Sequence, residues 1–151
     1  MEDDEAVPRL LESLRTSDDA GVRNAAALKL SDMAVPELLD VVTVLLTDPR
    51  TVRSRGTLLY ALGTGDYDCR PILGLLVDLA LTGGWEVSRA AAGLVSQMEG
   101  EIDATEFDRA RQRLLAADAE ARRAREHRPA ASADPERHAE VIQPLLELFA
   151  E

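Results

Sequence analysis

The chain has 151 residues, of which 46% are hydrophobic and only 3% aromatic, and its formal net charge is −11. This length suits one domain that buries roughly two thirds of the surface of its unfolded chain. With so few aromatic side chains the core must consist of Leu, Val and Ala in closely packed helices, which argues against a β-sandwich. The negative charge would repel phosphate backbones, so we expect a basic protein partner and no nucleic acid partner.

Location and assembly are predicted from the cysteine count and from the apolar runs. The one cysteine cannot form an internal disulfide, and the chain does not open with the charged start and apolar run of a signal peptide. The longest nearly apolar run, residues 72–81, is about half the length needed to span a bilayer and contains Asp78. We therefore expect a cytoplasmic protein, monomeric when free, with no membrane association.

Three segments have the pattern of increasingly buried helices. Residues 1–6 are expected to be a disordered acidic N-terminus. Residues 7–16 then predict a helix buried on one face, residues 36–47 a helix with a narrow polar stripe, and residues 71–82 a helix with one charged position. Burial that rises inward from a terminal helix is typical of stacked layers.

A second set of segments predicts partner helices with smaller side chains. Three of them align on Val22, Val52 and Val87, separated by 30 and 35 residues. Two helices per repeated unit are typical of a solenoid. The first helices are each expected to have a proline at their first position, namely Pro8, Pro36 and Pro71.

The corner from Asp48 to Arg53, which reads Asp-Pro-Arg-Thr-Val-Arg, resembles the inter-helix corner of the HEAT-repeat family, especially its short bacterial members. The resemblance implies an all-α protein: a short α-solenoid of about three HEAT-like helical hairpins over residues 7–100, closed by a C-terminal helical cap. It also implies an internal ladder of aspartates and arginines between repeats, formed by Asp18, Arg23, Asp48 and Arg53. In the third unit Gly83 and Ser88 replace the ladder residues, so the ladder is expected to stop after two rungs.

Residues 101–151 predict a C-terminal helical extension. Asp103 and Glu106 are spaced as a capping box and open a helix that runs to about Glu126. A flexible connector follows at residues 128–135. The last helix is expected to fold back over the open end of the stack, with a kink or a break at Pro144.

The stretch 57–70 is expected to begin as an apolar helix that runs to Leu62 and then turns polar. The polar loop is a candidate catalytic site, metal site or helix corner. A nucleophilic Cys69 would need a base, but the two histidines, His127 and His138, lie in the polar late part of the chain with no context that predicts an inward orientation. A calcium loop that starts at Asp66 is excluded because its fifth position is Arg70. Two histidines and one cysteine also fall short of a structural zinc site, so we expect no metal and no cofactor.

The corner interpretation therefore remains, with Gly63 and Gly65 expected to take positive φ where the helix ends. Asp68 is a candidate cap for the next helix. At a second corner Trp85 is either a partly buried strut or a contact residue. The residues predicted to bind a partner are exposed aromatic and acidic side chains at these two corners: Asp66, Tyr67, Asp68, Trp85 and Glu86.

These patterns favour a non-enzymatic protein-binding protein. The resemblance implies, more narrowly, an acidic immunity protein that masks a basic effector toxin such as a nuclease, whose surface is basic because it must hold phosphates. The alternatives are a protein similar to HEAT-like bilin lyases and a general adaptor scaffold. A HEAT-like DNA-repair glycosylase would need a basic groove with aromatic side chains, which the charge of the chain disfavours.

Overall fold

The computed structural model describes residues 2–127 and 135–150, which are largely helical and contain no strand. The predicted all-α class is thereby confirmed for these residues. The first seven helices are α1 (Glu2–Thr16), α2 (Ala20–Asp32), α3 (Leu38–Leu46), α4 (Arg55–Thr64), α5 (Leu73–Thr82), α6 (Trp85–Ser96) and α7 (Ala104–His127). The chain divides into two compact units, Met1–Cys69 and Arg70–Glu151, which we call unit 1 and unit 2.

Unit 1 consists of two helical hairpins. α1 packs against α2 and α3 packs against α4, while α2 contacts α4 and α1 contacts α3. Each helix contributes at least one fully buried leucine to the core, and burial of each such side chain stabilises the fold by roughly 1.5–3 kcal/mol. Leu14, Leu30, Leu46 and Leu62 are examples, one from each helix.

Unit 2 is built around α5, which packs against α6 and α7. The apolar run at residues 72–81 is largely buried, with Leu76, Val77 and Ala80 fully inaccessible. On α7 the side chains of Ala110 and Leu114 are buried. Further along the same face of α7, Ala117, Ala121 and Ala124 are only partly buried. The inner face of α7 is therefore less buried towards its C-terminal end, where alanine side chains bury little area.

The last helical stretch passes through three geometries: an α turn at Pro135–Arg137, a π-helical turn at His138–Ile142 and the α-helix α8 (Gln143–Leu148). We call these three segments together the C-terminal helix. Pro144 lies in the first turn of α8, and the π turn before it accommodates the missing amide donor without ending the helix. The C-terminal helix folds back on α5, α6 and α7, as expected. The predicted connector lies outside the described residues, except for Pro135.

The prolines do not lie at the first positions of the helices, where they were expected. α1 begins at Glu2, so residues 2–6 are helical where disorder was expected, and Pro8 lies inside the helix. Pro36 lies in the turn before α3, and Pro71 lies in a 3₁₀ turn, Arg70–Ile72. The fixed φ of proline suits tight turns as well as helices, and within α1 it removes only one hydrogen bond. Proline therefore marks these helix starts only to within several residues.

Candidate functional site

The polar end of the stretch 57–70 forms the corner that ends α4, and the geometry of this corner is a Schellman motif. The Tyr67 amide donates to the Leu62 carbonyl at 3.3 Å, and the Asp66 amide donates to the Gly63 carbonyl at 3.3 Å. The residue with positive φ is Asp66, at 55°, and not a glycine as predicted. Gly63 lies within α4, and Gly65 has φ of −85°. Aspartate tolerates the left-handed region better than most residues.

α2 ends in the same motif. The Val35 amide donates to the Leu30 carbonyl at 3.1 Å, and the Ala34 amide donates to the Ser31 carbonyl at 2.9 Å. Ala34 holds φ of 52°. The second helix of each hairpin in unit 1 thus ends in an equivalent corner.

The two corners are bonded to each other. The Tyr67 hydroxyl donates to the Val35 carbonyl at 2.7 Å, and Ser31 Oγ donates to the Ala61 carbonyl at 2.6 Å. Gly65 is required between them, because a β-carbon there would lie 2.7 Å from Ser31 Oγ and would overlap the Tyr67 ring. Burial raises the pKa of Tyr67, and nearby Glu37 adds to this effect. Tyr67 therefore has a structural role that the sequence pattern did not reveal.

Asp66 and Asp68 are exposed at this corner of unit 1. Their carboxylates remain candidate contact residues.

An arginine ladder joins the opposite ends of the hairpins in unit 1. Arg23 is buried; its Nη1 donates to the Ser17 carbonyl at 2.8 Å and its Nη2 to the Arg50 carbonyl at 3.3 Å. Arg50 Nη2 in turn donates to the Arg15 carbonyl at 3.2 Å. Each guanidinium thus bonds to backbone of the other hairpin.

This ladder differs from the predicted ladder of aspartates and arginines, because its bonds run from arginine to backbone and Arg50, instead of Arg53, reaches the neighbouring hairpin. Asp48 accepts hydrogen bonds from the Arg50 amide at 2.9 Å and from its Nη2 at 2.9 Å, which lower the pKa of Asp48. These bonds hold Arg50 against the corner, whereas Arg53 is exposed. Asp18 is also exposed and lies 3.8 Å from Arg50 Nη1. In the third hairpin the buried Ser88 hydroxyl donates to the Ala80 carbonyl.

Trp85 opens α6 and keeps 48% of its surface exposed. The Arg89 guanidinium carbon lies 4.0 Å from the centroid of the Trp85 ring, within the range of a cation–π contact. Arg89 also forms an ion pair with Glu140 of the C-terminal helix, and Glu86 is exposed beside them. We call these four residues, Trp85, Glu86, Arg89 and Glu140, the Trp85 surface.

A groove of 380 Å³ continues from the Trp85 surface between α6 and the C-terminal helix. Arg89 and Glu140 lie at its edge, and Ala92, Gly93 and Pro144 are among its lining residues. A β-carbon on Gly93 would meet no atom within 4 Å. The small residues therefore leave room for a side chain from another molecule.

A buried polar cluster joins α7 to the C-terminal helix. His138 is 3% exposed, and its Nε2 donates to Asp118 Oδ1 at 2.6 Å. Gln143 Nε2 donates to the same oxygen at 2.7 Å, and Arg122 Nε donates to Oδ2 at 3.0 Å. The hydrogen bond from His138 is the largest cause of a lowered pKa at Asp118.

His138 therefore points inward, an orientation that its sequence context was not expected to predict. His138 shares one helical face with the buried residues Val141, Ile142 and Leu145, at spacings of three, four and seven. That face is covered because the C-terminal helix folds back. The same spacing, read in the sequence, is the signal that could have identified the buried histidine.

Cys69 is 4% exposed, and burial raises the pKa of its thiol to about 11. The carboxylate of Asp68 adds to this shift. A thiol in this environment is a poor nucleophile at neutral pH. The packing interpretation of Cys69 is the one that its surroundings favour.

No family model, curated protein or solved structure matches the chain. Within residues 2–127 and 135–150, no helix is long and apolar enough to cross a membrane.

Proposed function

We propose that the chain is a non-enzymatic protein-binding protein whose Trp85 surface holds a basic protein partner. The observation that carries this proposal is the half-exposed Trp85 ring stacked on Arg89 beside a groove. Trp and Arg are two of the residue types that dominate the energy of protein interfaces, and their stacking orders both side chains before a partner binds.

The charge of the chain supports a basic partner. The formal net charge is −11, and Glu86 and Glu140 outnumber Arg89 within the Trp85 surface. Opposite charge accelerates association by electrostatic steering. Within this proposal the partner is a basic effector toxin, such as a nuclease, and the chain is the immunity protein that masks its phosphate-binding surface.

We also propose that the helices form a short HEAT-like solenoid. Support comes from unit 1, where first helix contacts first helix and second helix contacts second helix. The repeated corners at Ala34 and Asp66 and the arginine ladder add further support. Solenoids of this kind present extended surfaces to partners.

The test compares three forms of the full chain as bait for proteins of the native cell: the unaltered chain, Trp85→Ala and Tyr60→Ala. Tyr60 is a matched control because it is an aromatic side chain that is 62% exposed on α4, in unit 1. We expect the unaltered chain and Tyr60→Ala to capture one basic protein in equimolar amount at low salt, and Trp85→Ala to lose at least tenfold in affinity.

The variant Gly93→Leu tests the groove independently of Trp85, because the added side chain would fill the groove without meeting another atom of the chain at its β-carbon. It should weaken capture of the same protein without lowering the melting temperature. Equal capture by Trp85→Ala would remove the Trp85 surface as the binding site. Capture that does not weaken with added salt would contradict the basic-partner proposal.

A further inference from the structure

The groove beside the Trp85 surface has charged side chains at one end only. Arg89 and Glu140 form an ion pair at this end. The buried side chains of Val141 and Leu145 line the groove further along. At the other end lies Ser96, whose hydroxyl already donates to a carbonyl of its own helix at 2.8 Å. A segment that fits the groove is therefore apolar along most of its length and charged at one end.

The charged end of the groove favours a cation. Two carboxylates, those of Glu86 and Glu140, lie there with one guanidinium, that of Arg89. Arg89 has two separate contacts, one with Glu140 and one with the Trp85 ring at 4.0 Å. A lysine or arginine of a partner is able to pair with Glu140 while Arg89 stays stacked on Trp85, and a bond between two charged groups is stronger than one between neutral groups.

The walls of the groove favour a helical segment over an extended one. Both walls, α6 and the C-terminal helix, use their backbone groups for hydrogen bonds within the helix. An extended segment binds through the free backbone groups of a sheet edge, which helical walls do not supply. A helix satisfies its own backbone, so it loses no hydrogen bond when it enters the groove.

The dimensions of the groove also suit a helix. Arg89 and Ser96 line it seven residues apart on α6, which is roughly 10 Å along the helix axis. Apolar side chains seven residues apart on a bound helix span the same length. Between these two residues lies Gly93, where a β-carbon would meet no atom within 4 Å. The space above Gly93 is thus open to an aliphatic side chain.

From these observations we propose that the groove binds an amphipathic helix of the basic partner. An aliphatic side chain of that helix lies over Gly93, and a lysine or arginine near one end of the helix pairs with Glu140. This inference rests on the proposed function, because it names the segment of the partner that occupies the Trp85 surface.

The probe for this proposal is a synthetic helical peptide, rich in alanine and about 18 residues long, which is long enough to form a helix in water. It has leucines along one face, lysines along the other and no aromatic residue. Three analogues are the controls: one with glutamate in place of every lysine, one with the same residues in an order that has no apolar face, and one with a central proline.

Isothermal titration calorimetry with the full chain measures affinity and stoichiometry. We expect one basic peptide per chain and about tenfold weaker binding of each analogue, because each lacks the charge, the apolar face or the helix that the groove requires. Trp85 is the only tryptophan. Its fluorescence should therefore change when the basic peptide binds.

Variants of the chain locate the binding site. Gly93→Leu should weaken binding of the basic peptide about tenfold, because its side chain occupies the space that the peptide needs. Glu140→Gln should weaken it about fivefold, which corresponds to one lost charge-assisted hydrogen bond. Glu147→Gln is the matched control, since Glu147 is exposed on the C-terminal helix and does not line the groove. It should bind as the unaltered chain does, and all three variants should keep the melting temperature.

Equal binding by Gly93→Leu and by the unaltered chain would overturn the location. Equal binding of the proline analogue would overturn the helical conformation, and equal binding of the glutamate analogue would overturn the charge. If no peptide binds at millimolar concentration while capture of a basic protein still depends on Trp85, this inference fails and the proposed function stands. If the peptide binds as expected but the chain captures no basic protein from its cell, the proposed function fails and the groove remains a site for basic helices.

Discussion

Ala34 holds a left-handed backbone conformation, with φ of 52°, at the corner after α2. An L-residue with a β-carbon is disfavoured there by roughly 1 kcal/mol relative to glycine. The Ala34 side chain is exposed, so its removal loses no packing. We therefore expect Ala34→Gly to raise the free energy of unfolding by about 0.5–1 kcal/mol in urea denaturation.

The control for this prediction is Ala25→Gly, at an exposed position inside α2. Glycine there should lower the free energy of unfolding by about 0.5–1 kcal/mol, because it loses helix propensity. The two alanine-to-glycine changes should thus have opposite signs. If both destabilise the chain equally, the corner does not hold the left-handed conformation in solution.

The arginine ladder predicts how two single substitutions change the free energy of unfolding. Arg23 is buried and bonds to two backbone carbonyls, at Ser17 and Arg50, which would lose their donor in Arg23→Ala. We expect this variant to lose roughly 2 kcal/mol of unfolding free energy. Arg53→Ala, at the exposed position that the family pattern assigned to the ladder, should change it by less than about 0.5 kcal/mol. Both are measured by denaturant unfolding, and a larger loss for Arg53→Ala would restore the family ladder.

The C-terminal helix is attached to α7 through Asp118. The hydrogen bond from His138, followed by that from Arg122, holds the pKa of Asp118 below its ordinary value of 3.8, while burial opposes this shift. A carboxylate whose pKa is lower in the folded state stabilises the fold at pH above its unfolded pKa. This contribution is lost as the pH falls through the folded pKa.

We therefore expect Asp118→Asn to lower the melting temperature near neutral pH, with a difference from the unaltered chain that shrinks as the pH falls below about 4. Thermal unfolding at a series of pH values measures this. Asp108→Asn, an exposed aspartate on the same helix, is the matched control and should show little difference at any pH. A difference at Asp118 that does not change with pH would mean that the lost contact is not ionic.

The elements themselves were largely predictable from the sequence, because apolar spacing reports directly which segments form buried helices. α5 illustrates this, since its run of Leu and Val had one charged position and is buried. The ladder was less predictable, because whether Arg50 or Arg53 reaches the neighbouring hairpin depends on the cap geometry of Asp48. The Asp48 carboxylate accepts hydrogen bonds from the amide and the guanidinium of Arg50.

The candidate site was predicted only in part. Trp85 was expected to be either a partly buried strut or a contact residue, and it keeps 48% of its surface exposed, since a tryptophan after two glycines at a corner has few neighbours to cover it. Its stacking on Arg89 is a local i, i+4 contact within α6. The groove beside it depends instead on how the C-terminal helix folds back, a long-range contact with no local signature. The structural role of Tyr67 has no local signature either, because its hydroxyl bonds to Val35, which is 32 residues away in the chain.

The strongest long-range interaction within this acidic chain is electrostatic repulsion. The chain has 28 acidic and 17 basic residues, which gives a formal net charge of −11, and both units contain more acidic than basic residues. Like charges brought together by folding repel one another, and this repulsion destabilises the compact state relative to the expanded chain. Salt shortens the range of the repulsion from about 30 Å at 0.01 M to about 8 Å at 0.15 M.

We therefore expect the melting temperature to rise by several degrees when sodium chloride is raised from about 0.01 M to about 0.15 M. The surface ion pairs act in the opposite direction, but Arg89–Glu140 and Arg113–Asp78 are about half exposed and each contributes little. Choline chloride at equal ionic strength should give the same rise, because screening does not depend on the identity of the cation. A melting temperature that falls with salt would mean that the ion pairs outweigh the net charge, and a rise with sodium alone would indicate a specific cation site.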